Sequence, residues 1–259
     1  MIDIHSHLIY GVDDGSNNID TSIDILSSLA DVGITDIILT PHYIAETKYT
    51  SSKMNNIKKY NELKDELKKK EIDINIYLGN EIYIDENILD NIKNNEICSL
   101  NNTEYILVEL PMSGIYDDYQ DLFHSLMDIG FKIVLAHPER YVSFQNDYNK
   151  IDEMVNMGVL LQCNIDSILG AYGRSAKKTV KYILKNKYIS FIGTDIHSKK
   201  NNYNYIEKAK NKFKRYLSDD EINNIFNINA KNIIKSNDKK IKKENVYKND
   251  KSLVDIFNR

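Results

Sequence analysis

The sequence predicts an α/β protein built on seven parallel strands that close into a barrel or near-barrel. Two observations predict it. Short β-branched runs alternate with longer stretches of helical period along most of the chain, and such alternation implies parallel strands joined by right-handed crossovers. Almost every apolar run also leads into a histidine or a carboxylic acid, as happens when the carboxyl ends of parallel strands share one functional face. Periodicity alone leaves an open doubly wound sheet as the alternative.

The first run, 2–4, leads into His5-Ser6-His7, and a Gly-flanked loop from Gly11 to Gly15 then carries Asp13 and Asp14. A helix is predicted over 20–32. The second run, 36–40, ends at Thr40-Pro41-His42 ahead of a helix over 54–70. The third, 74–78, leads to Gly79-Asn80-Glu81 and a helix over 84–94. The fourth, 105–109, ends in Glu109, with a helix over 116–129, and the fifth, 132–136, leads to His137. A helix over 151–156 precedes the sixth run, 159–163, whose Cys163 reads as a packing residue. After a helix over 177–187, the seventh run, 189–192, leads into Thr194-Asp195-Ile196-His197. Helical patterns over 203–216 and 219–234 complete the body. We expect one domain over 1–236 and a polar, Lys-rich, solvated tail over 237–259.

Hydrophobic residues make up 42% of the 259, enough for a substantial core. No apolar run approaches the roughly 18 residues of a membrane-spanning helix, and no secretory signal is visible. Candidate functional residues begin at His5, where a cleaved leader would remove them, so a cytoplasmic location is expected. Two cysteines, Cys98 and Cys163, suggest no disulfide framework. The formal net charge of −4 is uneven: the stretch 235–251 carries +4 and the preceding body −8. An acidic body argues against a nucleic-acid partner. It is also what a carboxylate-rich cation site would give.

Five of the six histidines lie at strand ends, and the exception, His124, sits in a helical pattern. In His5-x-His7 and Asp195-x-His197, side chains two apart along a strand point to one face. Imidazoles and carboxylates suit manganese, iron or zinc, whereas the lack of thiolates argues against a structural zinc site. The donors exceed the coordination of one ion, so a cluster of two or three is expected. Cations also relieve the repulsion among clustered carboxylates. Singly, these motifs read as turns, caps or ion pairs; the joint pattern carries the inference. Pro41, Pro111 and Pro138 all neighbour the candidates.

Met1-Ile-Asp-Ile-His-Ser-His7, Val12-Asp-Asp-Gly15, Leu39-Thr-Pro-His42, Gly79-Asn-Glu81, Val108-Glu-Leu110, Ala136-His-Pro-Glu-Arg140 and Gly193-Thr-Asp-Ile-His197 occur in that order. Together they resemble the polymerase and histidinol phosphatase (PHP) superfamily. Within it they resemble the bacterial manganese-dependent protein-tyrosine phosphatases of capsule and exopolysaccharide operons, from residue 1 to about 235. The resemblance implies a distorted (β/α)7 TIM-like barrel with a trinuclear centre, Mn2+ by preference and Fe or Zn otherwise. It implies His5, His7, Glu81 and Asp195 on one ion. Glu81 would bridge to a second ion held by Glu109 and His137, with Asp14, His42 and His197 on the third. The implied substrate is the phosphotyrosyl tail of a cytoplasmic bacterial tyrosine kinase that regulates polysaccharide synthesis. One departure stands out. The family commonly carries a second arginine several residues past Asp-x-His, whereas here the segment reads Ser198-Lys-Lys-Asn-Asn-Tyr-Asn204. Lys199 or Lys200 would substitute as a point charge, without a bidentate fork.

Arg140, three residues past His137, is the candidate for direct phosphate contact, and Asp13 the candidate for orienting a ligand or serving as an acid. Tyr10, Tyr43, Tyr116 and Tyr141 lie in loops near the motifs and read as ordinary packing residues, with an aromatic rim as the alternative. Cysteine-dependent tyrosine phosphatases need Cys-x5-Arg; Glu104 and Leu169 stand at those positions after Cys98 and Cys163, which excludes that route. Three rivals remain: a PHP phosphoesterase acting on a small phosphomonoester such as histidinol phosphate, an amidohydrolase, and a metal-binding regulatory module without turnover. Amidohydrolases commonly carry a bridging carboxylated lysine at the fourth strand, where this chain has Glu109.

Overall fold

The computed structural model describes residues 1–113 and 119–235. The described residues form nine strands: β1 (Ile2–Asp3), β2 (Asp36–Leu39), β3 (His42–Tyr43), β4 (Asn75–Leu78), β5 (Glu81–Tyr83), β6 (Tyr105–Glu109), β7 (Lys132–Ala136), β8 (Leu160–Asn164) and β9 (Ile189–Gly193). β1, β2 and β4 make one parallel sheet, and β3, β5, β6, β7, β8 and β9 make a second. Two segments belong to both sheets. β2 bends into β3 at Thr40-Pro41, where proline has no N–H for the ladder. β4 bends into β5 at Gly79-Asn80. Asn80 ties the two bends together: its amide donates to Pro41 O (3.0 Å) and accepts from the Cys98 N–H (2.8 Å).

The first segment closes the circuit. Ser6 bridges Ile196 beyond β9, with His7 N–H on Ile196 O and Asp195 N–H on His5 O, each at 2.9 Å. The pairings therefore run round a ring of seven segments. This is the distorted seven-stranded barrel expected, and not the open sheet.

Helices α1 (Ile19–Asp31), α2 (Lys53–Lys69), α3 (Ile88–Lys93), α4 (Tyr119–Asp128), α5 (Val142–Asn146), α6 (Asn149–Met157), α7 (Gly173–Lys185), α8 (Tyr205–Phe213), α9 (Asp219–Asn223) and α10 (Asn229–Lys235) complete the described body. Side-chain alternation divides the core in two. Leu107, Val134, Ala136, Leu160 and Phe191 pack inside the ring with Ile2, Ile4 and Ile38. Ile106, Val108, Ile133, Leu135 and Leu161 belong to the larger outer core, with the buried faces of the helices. α10 plugs the ring at the amino ends of the strands. Ala230 and Ile233 join the inner cluster, and the Asn229 amide donates to Ser190 O at 2.8 Å. With that end filled by apolar side chains, the polar strand-end residues collect at the other.

Some boundaries differ from expectation. The helix expected over 84–94 shrinks to α3, because residues 84–87 form the turn out of β5, in which the Asn87 N–H donates to Asp85 Oδ1 at 2.8 Å. The one expected over 219–234 is interrupted by a π-helical turn, Asn224–Ile228. The tail 237–259 and the start of the helix expected over 116–129 lie outside the described residues. Among the described residues, no helix is long and apolar enough to cross a membrane.

Candidate metal centre

All nine candidate donors meet in one pocket at the carboxyl ends of the strands. His5 and His7 leave the first segment with their Nε2 atoms 3.2 Å apart. Both Nε2 atoms face Glu81 Oε2, at 3.3 and 3.2 Å, and Asp195 Oδ1, at 3.5 and 3.4 Å. The other Glu81 oxygen lies 2.8 Å from His137 Nε2. Glu109 approaches His137 and His42, each at 3.8 Å. Toward solvent, Asp14 Oδ1 is 3.5 Å from both His42 Nε2 and His197 Nε2. Three overlapping groups bring their donor atoms within 4.8 Å of one another: His5, His7 and Glu81; His42, Glu81 and Glu109; and His7, Asp14, His42 and His197. They overlap more than the ion sets implied by the resemblance, since His42 and His7 each belong to two groups.

Local backbone makes this convergence possible. His5 and His7 fit because two glycines stand against them. A Cβ on Gly15 would lie 2.1 Å from His7 O, and one on Gly193 would lie 2.6 Å from His5 Cβ. His137 and Asp195 adopt left-handed backbone, with φ of 33° and 52°. For residues other than glycine this costs on the order of 1–3 kcal/mol and concentrates at functional sites. Asp195 and His197 therefore do not reach one face by strand alternation, as expected: β9 ends at Gly193, and the turn at Asp195 aims both side chains inward.

As they stand, these donors are electrostatically unbalanced. Burial pushes Glu109 up to about 9, reinforced by the negative charge of Glu81. Burial alone would also raise Glu81 and Asp195, but the positive charge of His5, aided by His137 on Glu81 and His7 on Asp195, holds both well below the usual carboxylate range. Burial would lower His5, yet Glu81 and Asp195 raise it to about 9. Burial lowers His137 and His197. Glu81 Oε2, His42 Nδ1 and His137 Nδ1 are buried without a hydrogen bond, where such groups normally find partners. Two imidazole nitrogens and two carboxylate oxygens aimed at one point within 3.5 Å are what a hard or borderline divalent cation takes as ligands. The residues fit a metal cluster.

The remaining candidates settle differently. Asp13 faces away from the pocket: Oδ2 accepts from His7 Nδ1 (2.8 Å) and the His42 N–H (3.0 Å), and Oδ1 from the Gly15 N–H (3.0 Å). That geometry orients His7 and leaves no place for an acid. Arg140 donates from Nη1 to Asp195 Oδ2 at 2.7 Å and lies over the Tyr172 ring. Where described, the tyrosines near the motifs are packing residues and not a rim. Tyr141 is buried, with its hydroxyl between Leu110 N–H and Ala136 O. Tyr43 is buried with its hydroxyl donating to Glu96, and Tyr10 is tied to Glu62 and Lys59. Tyr116 lies outside the described residues. Tyr49, 6.0 Å from the His42 ring between centroids, and Tyr172 flank the pocket instead. Lys199 is engaged with Asp24 at 2.9 Å, and His124 is exposed on α4.

Sequence reasoning missed Gln162 and Asn164, both buried. The signal was present: Leu160-Leu-Gln-Cys-Asn164 places two amides on the inward parity of an otherwise apolar strand.

A distorted parallel barrel whose carboxyl end gathers histidines and carboxylates defines a class, the metal-dependent hydrolases. Within that class, the chain belongs to the capsular polysaccharide synthesis family CpsB/CapC, whose model matches residues 1–235. It is 35% identical over 199 residues to CapC of Staphylococcus aureus, covering 76% of this chain and 77% of the relative. It is 28% identical over 241 residues to the tyrosine-protein phosphatase CpsB of Streptococcus agalactiae serotype III, covering 91% and 99%. It also superposes, with a TM-score of 0.84 and 26% identity over 91% of this chain and 94% of the other, on a chain from the crystal structures of YwqE of Bacillus subtilis and CpsB of Streptococcus pneumoniae, which are metal-dependent tyrosine phosphatases.

Proposed function

We propose that this chain is a metal-dependent protein-tyrosine phosphatase. Its substrate is the phosphotyrosyl tail of a bacterial tyrosine kinase that governs capsular or exopolysaccharide synthesis. The observation that carries the reading is the meeting of His5, His7, Glu81 and Asp195 within 3.5 Å in a chain of the CpsB/CapC family. In this reading three Mn2+ ions would be held by His5, His7, Glu81 and Asp195; by Glu81, Glu109 and His137; and by Asp14, His42 and His197. Bound ions polarise a phosphoryl oxygen and acidify water.

The chain's own residues do the rest. Asp13 keeps the His7 ring turned so that Nε2 faces the pocket. Arg140, anchored on Asp195 and stacked on Tyr172, presents its remaining N–H donors to phosphoryl oxygens, where charge-assisted bonds are strongest. Lys199, paired with Asp24, does not replace the family's second arginine. Arg140 therefore carries guanidinium recognition alone. Phenolate is a good leaving group, so a strong general acid is not required.

The test is a panel of phosphotyrosyl peptides, phosphoseryl peptides and histidinol phosphate, assayed with Mn2+ and after chelation. Turnover of the phosphotyrosyl peptides, lost on chelation, is expected. A preference for histidinol phosphate would replace the substrate assignment, and metal uptake without any turnover would leave a regulatory module.

A further inference from the structure

Behind the candidate donors runs a hydrogen-bonded chain that neither the motifs nor the proposed chemistry accounts for. His5 Nδ1 is 2.8 Å from Gln162 Oε1. Gln162 Nε2 donates to Asn164 Oδ1 at 3.0 Å. Asn164 Nδ2 donates to Asp195 Oδ2 at 2.7 Å and to the Tyr172 hydroxyl at 3.1 Å. Both amides are buried, and both come from β8, the one segment of the seven-membered ring that contributes no expected donor. The Asn164 backbone N–H is itself held by Glu139 Oε1 at 2.8 Å.

The chain has a direction, and an acceptor-only group sets it. An ionised carboxylate has no proton to give, so Asp195 Oδ2 must face the NH2 of Asn164. That turns the Asn164 carbonyl toward Gln162, which must then offer its own NH2. The Gln162 carbonyl is left facing His5, where it can only accept. His5 therefore carries a proton on Nδ1. Its Nε2 faces Glu81, Asp195 and His7. Reversing either amide would set carbonyl against carbonyl or carbonyl against carboxylate between buried side chains. The same bond occupies Asp195 Oδ2, leaving Oδ1 for the pocket.

We propose that Gln162 and Asn164 are positioning residues: a directional amide relay through which the charge of Asp195 selects the His5 tautomer that presents Nε2 to the cation. The relay rests on the metal reading above. It adds that two of the proposed ligands are coupled through protein rather than through the ion alone. It also accounts for Gly193, since a Cβ there would lie 2.8 Å from Gln162 Nε2 and would push the relay off His5.

The test compares the full chain with Gln162→Leu and Gln162→Glu. Leucine fills the space without an acceptor, whereas glutamate, held as the neutral acid in this buried position, keeps a carbonyl for His5 Nδ1 and a hydroxyl for Asn164 Oδ1. Affinity is read by competition with a chromophoric chelator for Mn2+ and for Zn2+, and folding by circular dichroism. Loss of an outer partner of a metal ligand typically costs roughly 10- to 100-fold in affinity. That loss is expected for Gln162→Leu, with Gln162→Glu substantially restored. Zinc is diamagnetic, so long-range proton–nitrogen spectra of the zinc-loaded protein give a second readout. They should show His5 protonated on Nδ1 in the wild type, with that proton exchanging faster in Gln162→Leu. Wild-type affinity and an unchanged His5 spectrum in Gln162→Leu would overturn the relay alone. Equal loss in both variants would also overturn it, because the site would then need the amide's shape and not its acceptor. A wild-type chain that takes up none of manganese, iron or zinc would overturn the metal reading itself, and does so before any variant is compared.

Discussion

The pocket has two halves that are built differently. In the inner half, His5, His7, Glu81 and Asp195 are buried, and each is held from behind or beside: His7 by Asp13, His5 by Gln162, Asp195 by Asn164 and Arg140, Glu81 by His137. In the outer half, the Asp14 side chain is 49% exposed and that of His197 30% exposed. Asp14 reaches His42 and His197 only at 3.5 Å, and the short support on this side is His197 Nδ1 on Asp195 O at 2.9 Å. The inner half is preorganised where the dielectric is low and charge interactions are strong. The outer half is open to the solvent through which a bulky phosphorylated chain must arrive. The contrast suggests that the inner half fixes the cations and the outer half admits the substrate.

If so, the largest effect belongs to Glu81, whose oxygens face His5, His7, His42 and His137 together. Glu81→Gln keeps the shape and removes the charge. Metal content by mass spectrometry should collapse, with kcat/KM down by at least about a hundredfold, the upper end of what even an outer partner costs. Full metal content in this variant would end the distinction between the halves.

Chelation sharpens the comparison. Metal content should fall in two stages under graded chelator, the outer ion leaving first. The melting temperature should drop mainly in the second stage. A ligand present at about 100 times its Kd stabilises by about 2.7 kcal/mol, and the ions of the inner half sit among the most buried groups. A single-stage loss would show that the halves act as one.

A smaller change is expected from Asp14→Asn. It should lower the affinity of one ion by roughly 10- to 100-fold and leave the others bound, with folding unaffected. Loss of every ion would show that the outer ligands also organise the inner ones.

The two halves also differ in how legible they were in sequence. His5, His7, His42, Glu81, Glu109, His137, Asp195 and His197 were visible as strand-end residues, and Asp14 as a residue of the loop that follows the first strand, because parallel strands bring their carboxyl ends to one face whatever the details of the barrel. The ring itself was legible as alternation, but its bends were not. β3 and β5 arise from Pro41 and from the Asn80 amide reaching back to Pro41 O, a contact across separate segments. The supporting layer was less visible still. Gln162 and Asn164 look like ordinary strand polars until β8 is seen beside β9. Asp13 read equally as a residue that orients a ligand or as an acid until the loop was seen to fold it behind His7, where it orients that ring. The tyrosines left two readings open because an aromatic near a motif is as easily core as rim, and packing holds: the Tyr141 hydroxyl spans Leu110 and Ala136 inside the protein.

The smallest effect expected is also the one that separates binding from assembly. Arg140 stands at the boundary between the halves, 27% exposed, with one guanidinium nitrogen on Asp195. Arg140→Lys keeps a positive charge able to reach Asp195 but loses the planar fork. Metal content should stay at the wild-type level. KM for a phosphotyrosyl peptide should rise roughly tenfold, the worth of one hydrogen bond to a charged group at about 1.5 kcal/mol. A fall in metal content with KM unchanged would mean that Arg140 serves Asp195 rather than the phosphate, and the proposed phosphate contact would then have to be sought at Tyr172 or Lys200.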